Sequence, residues 1–248
     1  MRQTSIKDFE TYFENLNLSK GDNLFIHSSL LRFGKIEGGL KTLMKVLEKL
    51  TINDITIAMP SFTWNFSQKK IWDYRLSKSD VGALTEHFRH APFSLRSIHP
   101  IHSITANGKN AKFVCDHNAR SSFGKESSFS KMIDLKFRNI SLGTDFIGGA
   151  TFLHKAEEKC KVPYRKYINL NGDIVLKDKT LIKSNFTYFS RCKDVVFNWQ
   201  KLYTHLIKKG LISVETINNV KILDMNMERV NSEFETILVQ DPEYIIKG

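Results

Sequence analysis

The chain has 248 residues, 41% hydrophobic and 11% aromatic, a composition that excludes a disordered protein. Its net charge of +11 comes from 37 basic residues against 26 acidic ones, and these basic residues are scattered rather than gathered in a run. This pattern favours a ligand with phosphate groups over nucleic acid. The sequence has no apolar run of membrane-spanning length, no apolar leader and no metal-binding cysteine pattern, since Cys115, Cys160 and Cys192 are widely spaced. We therefore expect a cytoplasmic protein without a membrane span, a metal or a nucleic-acid partner.

The first sixty residues have the pattern of a βαβ unit. A short amphipathic helix at 6–16 precedes an apolar strand at 23–26. Apolar residues then recur with helical spacing at 40–50, and a second apolar strand follows at 55–59. Two strands joined by one helix through short links predict parallel neighbours with a right-handed crossover.

The rest of the chain alternates less regularly. The pattern predicts a helix at 82–90, a strand at 139–142, a hairpin at 167–176 and a helix at 197–209, with an irregular segment from 222 to the end. The hairpin prediction depends on an Asn-Gly pair, which favours a tight turn between strands.

We divide the chain into an α/β core at 1–160 that binds the donor and catalyses the reaction, and an accessory region at 161–248 that completes the acceptor side. No repeat and no linker rich in proline or glycine marks a firm boundary, so one domain is the alternative.

A first polar cluster follows the first predicted strand and consists of His27, Ser28 and Ser29, with Gly38 and Gly39 before the next helix. Hydroxyls, free backbone N–H groups and a helix N-terminus suit a phosphate or the pantetheine arm of coenzyme A. The alternative is that the two serines merely end the strand.

A second cluster, in a turn region, contains Arg96, Ser97, His99, His102 and Ser103. An arginine offers a forked donor for phosphate, and such a density of polar side chains in a turn favours a binding role. The alternative is that the histidines are buried and hydrogen-bonded to backbone carbonyls.

A third cluster consists of Thr151, His154 and Glu157. If a helix begins here, Thr151 is its N-cap and the three residues share one face. Glu157 then accepts a hydrogen bond from one imidazole nitrogen of His154 and leaves the other nitrogen as a general base. The alternative is a capped surface helix with an incidental histidine.

These clusters belong to an ordered series of five motifs between residues 20 and 160. In chain order they are H-S-S-L with Gly-Gly at 27–39, P-S-F at 60–62, G-x-L-x-E-x-F-R at 82–89, R-S-x-H-P-x-x-S at 96–103 and T-x-x-H-x-x-E at 151–157. The series resembles the aminoglycoside N3-acetyltransferase family. The last third of the chain resembles nothing strongly, and the loop at 145–150 is less polar than in that family.

The resemblance implies a three-layer α/β/α fold with a mostly parallel or mixed sheet, distinct from the GNAT acetyltransferases. It also implies acetyl-CoA as co-substrate and direct attack of an amine on the thioester. His154 then takes the amine proton, Glu157 orients it, and Thr151 or backbone amides near the first cluster stabilise the acetyl oxygen. The residues expected to bind coenzyme A are His27, Ser28, Ser29, Gly38, Gly39, Arg96, Ser97, His102 and Ser103.

The acceptor is a separate question. A protein of charge +11 repels polycationic aminoglycosides and attracts a diphosphate, which favours a nucleotide-linked amino sugar of surface-polysaccharide synthesis. An aminoglycoside 3-N-acetyltransferase that confers antibiotic resistance is the alternative, and a basic binding protein without activity is the second alternative. We assign acceptor contacts to Trp64, Asp73 and His99, and we expect that the protein can form a homodimer.

Overall fold

A seven-stranded mixed sheet forms the centre of the protein in a computed structural model, which describes residues 3–247. The strands are β1 (Gln3–Thr4), β2 (Asn23–Ser28), β3 (Lys35–Ile36), β4 (Thr56–Pro60), β5 (Ile71–Asp73), β6 (Leu95–Arg96), β7 (Ile104–Asn107), β8 (Arg138–Leu142), β9 (Arg165–Asn169), β10 (Asp173–Val175), β11 (Leu181–Lys183), β12 (Thr187–Arg191), β13 (Ile212–Ile217) and β14 (Val220–Asn226). The helices are α1 (Ile6–Asn15), α2 (Gly39–Ile52), α3 (Phe66–Lys69), α4 (Ala83–Arg89), α5 (Ala111–Cys115), α6 (Ser128–Asp134), α7 (Phe146–Gly149), α8 (His154–Lys159), α9 (Trp199–Lys208) and α10 (Met227–Gln240), with 3₁₀ turns at Leu30–Phe33 and Thr151–Leu153.

The central sheet has the strand order β13-β14-β8-β2-β4-β7-β6. Strand β2 pairs in parallel with β4 and with β8, whereas the other neighbours are antiparallel. The parallel β2–α2–β4 unit confirms the βαβ prediction for the first sixty residues. The α/β class with a mixed sheet is confirmed as well.

Helices cover both faces of the sheet, so alternate residues of its central strand β2 pack in different cores. Leu24 and Ile26 pack in a core with residues of α1, α2 and α4, while Phe25 between them packs with residues of α6, α8 and α10. A strand buried on both faces favours a nearly continuous apolar run, which explains the apolar residues at 24–26. The layers are therefore helix, sheet, helix.

The predicted hairpin at 167–176 is wrong, because its two strands lie in different sheets. Strand β9 pairs with β12, whereas β10 pairs with β5 and β11. Gly172 makes this possible: a Cβ on it would lie 2.4 Å from the carbonyl oxygen of Lys70, and the neighbouring Asp173 N–H donates to that oxygen at 2.8 Å. This close backbone approach draws the Asn-Gly segment toward β5 instead of closing a hairpin.

The last part of the chain is regular, contrary to the prediction of an irregular segment from 222 onward. Strand β14 inserts between β13 and β8 of the central sheet, and α10 packs against α8 and α6. Strands from both sides of residue 160 therefore share the central sheet, and the division of the chain stays a prediction. In residues 3–247 no helix is both long and apolar enough to cross a membrane. The homodimer and the cytoplasmic location stay predictions.

Candidate active site

His154 lies at the first position of α8, where two cavities meet. Both cavities contact His154, Ile147 and Tyr188. The first cavity, of about 320 Å³, is lined in addition by His27, Ser28, Pro60, Phe62, Trp64, Val81, His102, Thr144, Gly148 and Thr151. The second cavity, of about 460 Å³, is lined in addition by Phe146, Ala150, Arg165, Ser190, Arg191, Phe197 and Trp199.

One side of the His154 ring is held by a buried ion-pair network. The Nδ1 atom of His154 is hydrogen-bonded to Oε2 of Glu157, one turn further along α8. The Nη2 atom of Arg165 lies 3.0 Å from the same oxygen and 3.0 Å from Nδ1. Because a carboxylate only accepts, Nδ1 carries the proton and Arg165 donates to the carboxylate. The hydrogen bond from Nδ1 confirms the predicted His154–Glu157 contact. The Nε2 atom of His154 is then unprotonated and free to accept a proton.

The protonation states of this network follow from burial and from the neighbouring charges. Burial lowers the pKa of His154, and Arg165 lowers it further, while Glu157 opposes both. Burial alone would raise the pKa of Glu157, but His154 and Arg165 hold it below its ordinary value. Near neutral pH the site therefore combines an uncharged imidazole with a charged carboxylate, as a general base requires.

Thr151 lines the first cavity but does not cap the helix as predicted. It lies in the 3₁₀ turn Thr151–Leu153, and α8 begins only at His154, with Leu153 as an N-cap that makes no side-chain hydrogen bond. The 3₁₀ turn moves the N-cap by two residues, from Thr151 to Leu153. Thr151 is still on the same cavity wall as His154.

The first polar cluster is only partly at the site. His27 and Ser28 line the first cavity, and the Nε2 atom of His27 is enclosed without a hydrogen-bond partner among the described residues. Burial lowers the pKa of His27 to about 3, so its ring is neutral. Ser29 donates its N–H to Leu142 at 2.8 Å, whereas Gly38 and Gly39 line neither of the two cavities.

Arg96 is not a phosphate ligand, contrary to the prediction. Its side chain is buried, and burial lowers its pKa to about 9. All five N–H donors have partners inside the protein at 2.6–3.2 Å, namely the hydroxyls of Ser103 and Thr63 and the carbonyls of Tyr74, Ser77 and Ser61. The guanidinium therefore ties β6 to the loops beside it.

The serines of the second cluster also serve the fold, and this corrects their predicted contact with coenzyme A. The Ser97 hydroxyl accepts from Ile104 N–H at 2.8 Å, and the Ser103 hydroxyl donates to the Ser61 carbonyl at 2.7 Å. Both side chains are fully buried and line neither cavity. Their hydrogen bonds satisfy backbone groups at the edge of the central sheet.

The two histidines of this cluster are linked through the Ser122 hydroxyl. Nδ1 of His99 accepts from the N–H groups of Ile101 and His102, so its Nε2 carries the proton and donates to Ser122 at 3.1 Å. Ser122 in turn donates to Nδ1 of His102 at 2.8 Å, which leaves the His102 proton on Nε2. His102 lines the first cavity as a hydrogen-bond donor. His99 is fully buried and lines neither cavity, so its predicted contact with the acceptor substrate is wrong.

Of the other two predicted acceptor contacts, only Trp64 is at the site. Its ring lines the first cavity and stands edge-on to His102, with 5.2 Å between the ring centroids. Asp73 lies outside both cavities, where it accepts from the N–H groups of Arg75 and Leu76 and pairs with Lys183 at 2.5 Å. The carboxylate of Asp73 therefore stabilises a turn and does not contact a substrate in either cavity.

Sequence reasoning missed the residues of the second cavity that lie on β9 and β12. Arg165 and Arg191 are register partners in this strand pair, and Tyr188 and Ser190 lie on the same strand as Arg191. The predicted hairpin assigned these strands to the wrong partner. A run of β-branched and aromatic residues at 187–189 was the available signal for a strand. No group of three or more metal-ligating side chains in residues 3–247 is arranged to hold a metal ion.

Comparison with known proteins gives one consistent family. A family model described as aminoglycoside 3-N-acetyltransferase matches residues 25–238. An aminoglycoside N(3')-acetyltransferase-like protein of Bacillus subtilis is 29% identical over 191 residues, 68% of this chain and 69% of the relative. Aminoglycoside N(3)-acetyltransferase VIII of Streptomyces fradiae is 25% identical over 224 residues, 82% and 76% of the two chains.

The fold is also found in solved structures. Aminoglycoside acetyltransferase AAC(3)-Xa superposes with a TM-score of 0.82 at 18% identity, over 98% of this chain and 94% of that one. A binary complex of AAC-IIIb with CoASH has a TM-score of 0.80 at 17% identity, over 96% of this chain and 97% of that one. At such identities the likeness concerns the fold.

Proposed function

Because this chain belongs to the aminoglycoside 3-N-acetyltransferase family, we propose that it acetylates an amine of an amino sugar with His154 as the general base. Membership of the family makes it a CoA-dependent N-acetyltransferase. One observation carries the assignment of the base: His154 lies where two cavities meet, with Glu157 on Nδ1 and with Nε2 left for the substrate.

The residues divide the reaction between them. Acetyl-CoA supplies an acetyl group that is activated as a thioester. The Nε2 atom of His154 accepts the proton that the amine loses while its nitrogen bonds to the acetyl carbon. Glu157 stabilises the imidazolium, which returns the proton to the sulfur as the carbon–sulfur bond breaks. We assign the stabilisation of the acetyl oxygen to the Thr151 hydroxyl and to the Nε2–H of the His102 ring, because both residues line the first cavity.

The first cavity suits the pantetheine arm of the donor. Its walls combine apolar side chains, Pro60 and Val81 among them, with the polar residues His27 and Ser28. A narrow, partly apolar cavity with a few polar groups is the usual site for a ligand of this kind. We place the arm along His27, Ser28 and His102, and Ser29, Gly38 and Gly39 remain proposed contacts further along the donor.

Two arguments point to different acceptors. The names of the relatives favour an aminoglycoside over the nucleotide-linked amino sugar that the net charge predicts. An anionic amino sugar is the second candidate, because neither cavity at His154 is lined by an aspartate or a glutamate in the described chain, and the second contains Arg165 and Arg191. A site for a polycation needs carboxylates.

Thiol release from acetyl-CoA tests the proposal. The purified protein is incubated with acetyl-CoA and separately with kanamycin, glucosamine and UDP-glucosamine, and the free thiol is measured over time. We expect release that depends on the acceptor amine, with no release from an N-acetylated acceptor. Tight binding of acetyl-CoA without release for any amine would instead support the non-catalytic binding protein.

A further inference from the structure

The second cavity has a strongly positive lining. Arg165 and Arg191 both contact it beside His154, and the remaining lining residues are uncharged. No carboxylate in residues 3–247 lies on its wall. The nearest one in this network, Glu157, is fully buried and already paired with His154 and Arg165. A ligand in this cavity therefore meets two arginines, of which only Arg165 is paired with a carboxylate.

The two arginines are held together in an arrangement that has an electrostatic cost. They are direct register partners in the β9–β12 pair, where like charges destabilise each other. Both guanidinium groups lie over the ring of Phe197, with 5.7 Å from Arg165 and 5.9 Å from Arg191 to its centroid. We call these three residues, Arg165, Phe197 and Arg191, the arginine clamp.

The clamp is only partly satisfied within the protein. Glu157 pairs with Arg165, but the Nε of Arg165 has no hydrogen-bond partner although its side chain is only 4% exposed. Arg191 forms no ion pair with a carboxylate of the described chain. An arginine with an unpartnered N–H beside a second, exposed arginine without an ion pair among residues 3–247 leaves donors and charge for an anion at this cavity.

We propose that the arginine clamp binds an anionic group, a phosphate or a carboxylate, on the acceptor itself. This inference rests on the proposed function and narrows its acceptor to an amino sugar that bears such a group. The anion does not come from coenzyme A, because Nη2 of Arg165 lies 3.0 Å from Nδ1 of His154. The phosphates of a donor whose thioester is at His154 lie a whole pantetheine arm away. An acceptor phosphate a few bonds from the amine reaches the clamp.

Matched acceptors test the clamp. Glucosamine 6-phosphate and glucosamine differ only in the phosphate, and kanamycin serves as a polycationic comparison. We expect the kcat/KM of the wild-type protein for the phosphorylated sugar to exceed that for glucosamine by about 10- to 100-fold, as for a charge-assisted contact. In Arg191→Gln this ratio should fall about tenfold or more. Arg191→Lys should retain part of it, because lysine keeps the charge and loses the fork.

Lys193→Gln is the matched control, since it removes the same charge from an exposed residue that lines neither cavity. Its ratio should equal that of the wild type. Three outcomes would each overturn the clamp. The ratio could be unchanged in Arg191→Gln, or kanamycin could have a higher kcat/KM than the phosphorylated sugar. The third is an Arg191→Gln protein in which only the KM of acetyl-CoA rises.

Calorimetry distinguishes a failure of the arginine clamp from a failure of the proposed acetyltransferase function. Titration of glucosamine 6-phosphate and of glucosamine into the protein saturated with CoA measures binding without turnover. Preferential binding of the phosphorylated sugar that Arg191→Gln abolishes, without thiol release, would retain the clamp and reject the proposed function. Turnover of both sugars without preference would reject the clamp and retain the proposed function.

Discussion

Residues 96–103 and residues 151–157 both bring histidines to the first cavity, but they satisfy their polar groups differently. In the first segment every N–H of Arg96 has a protein partner, and His99 and His102 share the hydroxyl of Ser122. In the second segment His154 has one nitrogen held by Glu157 and one left open. Groups that are paired inside the protein stabilise it, whereas an unpaired ring nitrogen on a cavity, on His154 and also on His102, is available for chemistry.

The pKa values of the histidines also differ between the two segments. Burial lowers the pKa of both His99 and His102 well below the ordinary value, and neighbouring histidines, together with Arg165 in the case of His102, lower it further. Burial also lowers the pKa of His154, but there Glu157 opposes it. Of these three histidines, only His154 therefore has a carboxylate that stabilises its charged form during proton transfer. Four substitutions measure how far this contrast extends.

The largest effect is expected for His154→Ala. We expect kcat to fall by about 10² to 10⁴, because the general base is lost, while folding and the affinity for acetyl-CoA are kept. His205→Ala is the matched control, because His205 pairs with Glu233 at 2.6 Å in the same way but lines neither cavity. Near-full activity of His154→Ala would place the base elsewhere. Loss of the fold would make His154 a structural residue.

Arg96→Ala should affect stability and leave donor binding intact. Removing a buried guanidinium leaves the carbonyls of Tyr74 and Ser77 without this donor and takes one of two donors from the carbonyl of Ser61, and we expect a loss of about 3 kcal/mol. For a chain of this size that is about 6–12 °C in Tm. Thermal unfolding compares it with Arg229→Ala, which removes an exposed arginine. A raised Kd for CoA at unchanged Tm would contradict the structural role.

Glu157→Gln should lower activity less than His154→Ala and should move the pH profile. Glu157 raises the pKa of His154, so its removal lowers that pKa further. The base then stays neutral to lower pH, and the acidic limb of kcat/KM against pH moves to lower pH. We expect kcat to fall about tenfold, since the orienting hydrogen bond weakens and an imidazole with a lower pKa is a weaker base.

Glu158→Gln is its control: Glu158 is the next residue of α8, is also buried, and contacts Ser121 rather than His154. Its acidic limb should coincide with that of the wild type. A shift of the Glu157→Gln limb to higher pH, or equal shifts in the two variants, would show that Glu157 does not tune the imidazole.

The smallest effect is expected for Ser122→Ala. The hydroxyl joins His99 and His102, and without it two ring nitrogens lose their partner, which costs about 1–2 kcal/mol of stability. Chemical unfolding measures this loss. Ser94→Ala is the control, because the enclosed Ser94 hydroxyl has no hydrogen-bond partner among the described residues. Equal stabilities of the two variants would mean that the Ser122 link contributes nothing to the fold.

The candidate site was predictable where it depends on neighbours in sequence. His154 and Glu157 are three residues apart, and helical geometry alone brings such side chains together. Arg165 and Arg191 were not predictable, because their proximity depends on the pairing of β9 with β12 across a long excursion of the chain. The Asn-Gly segment between them favoured a hairpin that the fold does not form.

By itself the sequence determined the βαβ unit, the helices with regular apolar spacing and the series of motifs that resembles the family, since each depends on local periodicity or on residue types in order. Only the tertiary structure decided that Arg96 is enclosed and His154 is not. Burial is a property of everything packed around a residue, and a motif contains only a few of those neighbours. For the same reason the clamp of Arg165 and Arg191 became visible only when two distant strands were placed side by side.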